Sequence, residues 1–121
     1  MQIDIQARNF SLTPALRGYV IRRLYFTLGT RADHIQRVMV RLSDSSGPHG
    51  GESKRCQIRV KLPHLPDVLI EDTEVDLYAA IGRAADRAGR SVGRRLTRQR
   101  GNVHSYKQRG TASSSELPET G

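Results

Sequence analysis

Polar and hydrophobic positions alternate strictly from Gln2 to Arg8: Ile3, Ile5 and Ala7 share one side, while Gln2, Asp4, Gln6 and Arg8 share the other. A period of two is that of a strand with one face buried. The pattern breaks over 9–13 and then changes period. Leu16, Val20, Leu24 and Leu28 recur every four residues, with Ile21 beside them, which predicts an amphipathic helix over 14–28. Thr13 is placed to cap this helix, Pro14 suits its first position, and Gly29 suits its end.

Three more strands are predicted downstream. Over 37–43, Val38, Val40 and Leu42 face in and Arg37, Met39 and Arg41 face out. Residues 44–53 read as a loop by composition. Over 54–62, Cys56, Ile58, Val60 and Leu62 face in, while Arg55, Gln57, Arg59 and Lys61 face out. Pro63-His64-Leu65-Pro66 turns the chain into a short strand over 68–70. Sequential strands with short connections make an antiparallel meander.

A second helix is predicted over 76–98, with Leu77, Ile81, Ala84, Ala88, Val92 and Leu96 on its apolar face. Gly82, Gly89 and Gly93 lie inside it, each at a cost of about 1 kcal/mol relative to alanine. From Gly101 onward no periodicity remains, so a folded domain is expected over 1–100 and a disordered tail over 101–121. The resulting order is β-α-β-β-β-α. It is an α+β fold, a four-stranded sheet with both helices on its apolar face.

At 121 residues the chain is sized for one domain, and 36% hydrophobic residues suffice for a modest core. No apolar run approaches the roughly 20 residues of a membrane span, and the N-terminus lacks the features of a signal peptide, so a cytoplasmic protein without membrane contact is expected. A single cysteine, Cys56, excludes an internal disulfide framework and any multi-thiolate metal site.

Charge changes the picture more. The net charge is +8, and it is unevenly placed. Residues 63–82 carry Asp67, Glu71, Asp72, Glu74 and Asp76 and no basic group, whereas 83–109 carry Asp86 alone against nine lysines and arginines. Such patterning points to a polyanionic partner. Arg83, Arg87, Arg90, Arg94 and Arg98 are spaced 4, 3, 4 and 4 apart, which places them on one face of the second helix. That face lies about 120° from the apolar stripe. A merely solvated face would mix signs; arginine grips phosphate bidentately. A second basic surface is expected on the outer face of the sheet from Arg37, Arg41, Arg55, Arg59 and Lys61. Arg17, Arg22 and Arg23 extend the helical surface if the helices lie side by side. With no aromatic residues interleaved among these arginines, structured RNA is favoured over single strands.

Catalysis finds little support. His34, His49, His64 and His104 share no metal-ligand spacing, and Cys56 alternates inward as a core thiol. No catalytic residue, metal, cofactor or small-molecule substrate is expected. The acidic run 71–76 is assigned to compensating the helix dipole rather than to holding a cation. Gly47-Pro48-His49-Gly50-Gly51 lacks the lysine and helix start of a phosphate loop and reads as a hairpin connection. Leu117-Pro118-Glu119-Thr120-Gly121 matches the sortase recognition pentapeptide, expected here as a chance match or an added tag.

Four motifs together resemble the ribosome hibernation promoting factors, the bacterial ribosome-associated inhibitors also described as sigma-54 modulation proteins. They are Thr13-Pro14-Ala15-Leu16-Arg17, Val40-Arg41-Leu42-Ser43-Asp44, Gly47-Pro48-His49-Gly50-Gly51 with Lys54-Arg55-Cys56, and Asp76-Leu77-Tyr78-Ala79-Ala80-Ile81. The resemblance spans about residues 1–98. It implies a fold shaped like double-stranded-RNA-binding domains. It also implies a non-catalytic inhibitor in the mRNA and tRNA channel of the small ribosomal subunit, acting under stress or in stationary phase. Contacts to rRNA would fall on Arg22, Arg23, Arg83, Arg87, Arg90 and Arg94, with Arg98 added from the stripe. The family's long members carry a C-terminal domain that pairs ribosomes; none is expected here, and the protein is expected to be a monomer. The alternatives are a generic structured-RNA binder and a regulatory module for an acidic protein partner.

Overall fold

Thr13 caps the first helix as its sequence predicts: its hydroxyl accepts a hydrogen bond from the Leu16 amide at 3.1 Å, and Pro14 occupies the first turn. In the computed structural model, which describes residues 1–46 and 52–107, that helix (α1, Pro14–Leu28) joins β1 (Gln2–Arg8) to β2 (Arg37–Ser46). β3 (Glu52–Lys61), β4 (Val68–Glu74) and α2 (Leu77–Lys107) follow. The sheet order is β1-β2-β3-β4. β1 pairs parallel to β2 through the α1 crossover, and the other two pairings are antiparallel. The fold is α+β, with element order β-α-β-β-β-α.

The register sorts side chains as the alternation requires. Across one inward row lie Ile5, Val40, Ile58 and Ile70, and across another Ala7, Leu42, Cys56 and Asp72. Leu16, Val20, Leu24 and Leu28 of α1 and Ala80, Ile81, Ala84, Ala88 and Val92 of α2 close over them as a single core. Among the described residues no polar side chain is fully buried. Burying each large aliphatic group stabilises the fold by about 1.5–3 kcal/mol.

Element ends depart from the sequence reading. β2 and β3 run on to Ser46 and back from Glu52, and β4 continues to Glu74, through polar stretches without apolar alternation. Ladder pairing, with cross-strand pairs such as Lys54 with Asp44 at 2.8 Å, holds these ends. Gly29 does not stop the chain. It stays right-handed, and a 3-10 helix follows over Gly29–His34. α2 likewise continues past Arg98 to Lys107. Hydrophobic periodicity reports burial, whereas helical backbone hydrogen bonds need no apolar period, so the sequence pattern does not mark this extension. Residues 47–51 of the loop expected over 44–53, and residues 108–121 of the tail expected over 101–121 with its terminal pentapeptide, lie outside the described residues. Among the described residues no helix is long and apolar enough to cross a membrane.

Gly82, Gly89 and Gly93 of α2 have a packing role. They share the flank of α2 that faces α1. A Cβ at Gly89 would stand 2.9 Å from the Thr27 carbonyl oxygen, and one at Gly93 would stand 3.0 Å from the Arg31 guanidinium. Missing side chains let the two helices approach closely, which offsets part of their propensity cost.

Candidate nucleic-acid interface

Asp76 sets where α2 starts. Its carboxylate accepts from the Tyr78 amide at 3.1 Å, and its carbonyl accepts from the Ala80 amide at 3.0 Å. From that start, helical spacing fixes which neighbours each arginine meets. The core lies beneath the helix, β4 along one flank and α1 along the other.

The arginine stripe is therefore divided. Arg83 and Arg87 turn toward β4. Arg87 donates to the Asp72 carboxylate at 2.8 Å and to the Glu71 carbonyl oxygen at 2.9 Å. Arg83 reaches Glu74 at 3.0 Å and Asp72 at 3.5 Å. Arg95, beside the stripe, donates to the Pro66 carbonyl at 2.6 Å, tying α2 to the β3–β4 turn. Arg90, Arg94 and Arg98 instead line a groove of about 710 Å³ between the two helices, together with Phe26 and Arg31. Arg94 donates to Ser91 Oγ at 3.2 Å, while Arg31, Arg90 and Arg98 have no hydrogen-bond or ion-pair partner among the described residues.

The acidic run thus supplies counterions as well as the carboxylate at the helix N-terminus. Only Asp76 caps the helix. Glu71 holds Arg55 at 3.2 Å, and Asp72 and Glu74 hold the β4-facing arginines. No group of these residues fit for a metal ion occurs among the described residues.

On the outer sheet face the cations are diluted. Arg37 pairs with Asp4 at 3.3 Å, Arg59 with Asp67 at 3.3 Å, and Arg55 with Glu71. Arg41 and Lys61 stay without a partner among the described residues. Exposed pairs of this kind contribute only about 0–1 kcal/mol to stability, but they lower the positive potential a phosphate would meet.

Of the α1 cations, Arg22 is exposed. Arg23 crosses the helix seam to Asp86 at 2.9 Å and places its guanidinium carbon 5.6 Å from the centre of the Phe26 ring. Its Nε is buried without a partner. Burial, with the Asp72 charge adding to it, pushes the Cys56 thiol up to about 12, so it stays protonated and inert.

Two groove residues escape the sequence reading. Phe26 falls off the Leu16–Leu28 stripe, and an aromatic residue outside an apolar face is the signal that could have found it. Arg31 sits in the 3-10 helix, where no period links it to the stripe on α2.

The family model described as sigma 54 modulation protein / S30EA ribosomal protein matches residues 3–100. Among solved structures, the N-terminal domain of Protein Y from Thermus thermophilus is 34% identical. The match covers 78% of this chain and 98% of that one, with a TM-score of 0.60. A ribosomal subunit interface protein from Coxiella burnetii is 18% identical over 78% of this chain and 96% of its own, with a TM-score of 0.67. At that identity it speaks for the fold. No curated protein matches. The matched family is one of ribosome-associated, non-enzymatic factors. By the span of the family match and the identity to the Thermus domain, the chain belongs to the sigma 54 modulation protein / S30EA ribosomal protein family.

Proposed function

We propose that this protein is a steric plug of the small ribosomal subunit. It seats its helical face against rRNA phosphates in the mRNA and tRNA channel and blocks translation when growth stops. It acts as a single copy in the cytoplasm, without cofactor or chemistry. The observation that carries this reading is the cluster of Arg31, Arg90, Arg94 and Arg98 along the α1–α2 groove, where the one carboxylate among the described lining residues, Asp86, is already engaged by Arg23. Membership of a ribosome-associated family supports the choice of partner. Arginine at such a surface binds phosphate bidentately, and affinity built on it is salt-dependent.

Co-sedimentation with small subunits between 50 and 200 mM salt tests this. Changing Arg90, Arg94 and Arg98 together to Gln should abolish most binding and flatten the salt slope by about 1 per lost phosphate contact. The same change at Arg41, Arg55 and Arg59 on the sheet should cost less. Loss only in the sheet variant would move the interface to the other side of the molecule. Loss in neither would leave a generic RNA or acidic-protein partner instead.

A further inference from the structure

Phe26 is 79% exposed, the most exposed large hydrophobic side chain among the described residues. It contributes nothing to the core, and leaving such a ring in water forgoes the stabilisation that burial would give. Its surroundings are cationic. Arg23 lies against the ring at 5.6 Å, and its guanidinium is held there by Asp86. With that contact on one side, the exposure leaves most of the remaining ring surface to solvent.

The same groove carries the arginines that lack acidic partners. Arg31 crosses its floor where Gly93 has no side chain, 3.0 Å from the position a Cβ would take. Arg90, Arg94 and Arg98 rise from α2 along its wall. The groove is broad and open to solvent along its length.

We propose that this groove is a subsite for one unpaired nucleotide of single-stranded RNA, with the base stacked on Phe26 and the flanking phosphates held by Arg31, Arg90, Arg94 and Arg98. Duplex RNA keeps its bases stacked inside and would leave Phe26 idle. Phosphate alone would need the arginines and not the ring. Among RNA and phosphate ligands, an extruded or single-stranded base is the one that uses both. At this groove the expectation from sequence, structured RNA over single strands, is reversed: the backbone contacts suit any RNA, but the aromatic platform suits an unstacked base. The subsite deepens the ribosome-binding reading and rests on it for the identity of the natural RNA.

The chain has no tryptophan, so Phe26→Trp in the full chain introduces one fluorophore at the platform. An eight-nucleotide oligoadenylate should quench its emission, while inorganic polyphosphate, competing for the same arginines, should displace the oligomer without quenching. Phe26→Leu should weaken oligoadenylate binding by about tenfold or more and leave polyphosphate binding unchanged. Because the ring is exposed, neither variant disturbs the core. Equal oligomer affinity in wild type and Phe26→Leu, an absence of quenching on binding, or no binding of the oligomer at all would each overturn the subsite. Small-subunit binding by the wild type is scored separately. If subunits bind and the oligomer does not, the subsite fails and the ribosome reading stands; if the oligomer binds and subunits do not, the reverse holds.

Discussion

Gly89 lies directly beneath Thr27, so close that a methyl group on Gly89 would stand 2.9 Å from the Thr27 carbonyl and 3.0 Å from its Cβ. No real methyl group sits that near a backbone oxygen, so one of the two helices would have to move. Glycine at this point is a condition for the seam that brings Phe26 and Arg31 of the α1 side against Arg90 and Arg94 of α2.

Gly89→Ala should therefore lower stability by up to about 2 kcal/mol net, an overpacking cost of about 1–3 kcal/mol less a helix-propensity gain of about 1 kcal/mol. Gly82→Ala should do the opposite. Its Cβ would meet the Tyr19 hydroxyl at 3.6 Å and the Arg23 guanidinium at 3.7 Å, ordinary contacts, so the propensity gain survives. Urea unfolding of both variants checks the difference in sign. A Gly89→Ala chain more stable than the wild type would mean that the helices are not closely seated there.

The fold was legible wherever burial imposed a period. The alternation of Ile3 and Ile5, the four-residue recurrence of Leu16 to Leu28 and the stripe from Leu77 to Leu96 each report a face pressed on one core, and the order of elements follows from them. Polar strand ends were not legible, because Ser45, Ser46, Thr73 and Glu74 are held by ladder bonds that any sequence can make. The arginine stripe was legible as a stripe. Its division was not, because whether Arg87 meets Asp72 and Arg90 meets open solvent depends on where β4 lies beside the helix. Phe26 and Arg31 join the site only through the packing of the α1 side on α2, a relation between residues far apart in the chain for which no local pattern exists.

Cys56 gives a pH signature. Its thiol is pushed up from 9.0 to about 12 in the folded chain, by burial first and the Asp72 charge second. An unfolded chain ionises near 9.0, so above that pH it binds fewer protons than the folded one, and stability falls as pH rises from about 9 toward about 12. Below 9.0 the contribution is fully present. The wild type should thus lose stability above pH 9 more steeply than Cys56→Ala, measured as unfolding free energy at matched pH. Thiol reagents at pH 8 should label Cys56 only in denaturant. Rapid labelling of the folded chain would show that the sheet opens at this position.

Asp72 carries the last prediction. Its side chain is only 10% exposed and faces two arginines that are 64% and 44% exposed, Arg83 and Arg87. Asp72→Asn keeps the shape and removes the charge. Because both arginines remain largely solvated, the loss of stability should be small, at most about 1 kcal/mol. Arg83 retains Glu74 at 3.0 Å and Arg87 retains the Glu71 carbonyl at 2.9 Å, so neither side chain loses its position. What changes is the charge presented to a phosphate. A freed Arg87 should add a contact, raise small-subunit affinity at low salt and steepen the salt slope by about 1. The same variant should bring the Cys56 thiol part of the way back toward its ordinary value, since the smaller of its two causes is gone while burial persists. That second readout checks that the substitution has acted where intended. Weaker ribosome binding, with the thiol shift present, would mean that Asp72 aims Arg83 and Arg87 as phosphate ligands instead of masking them.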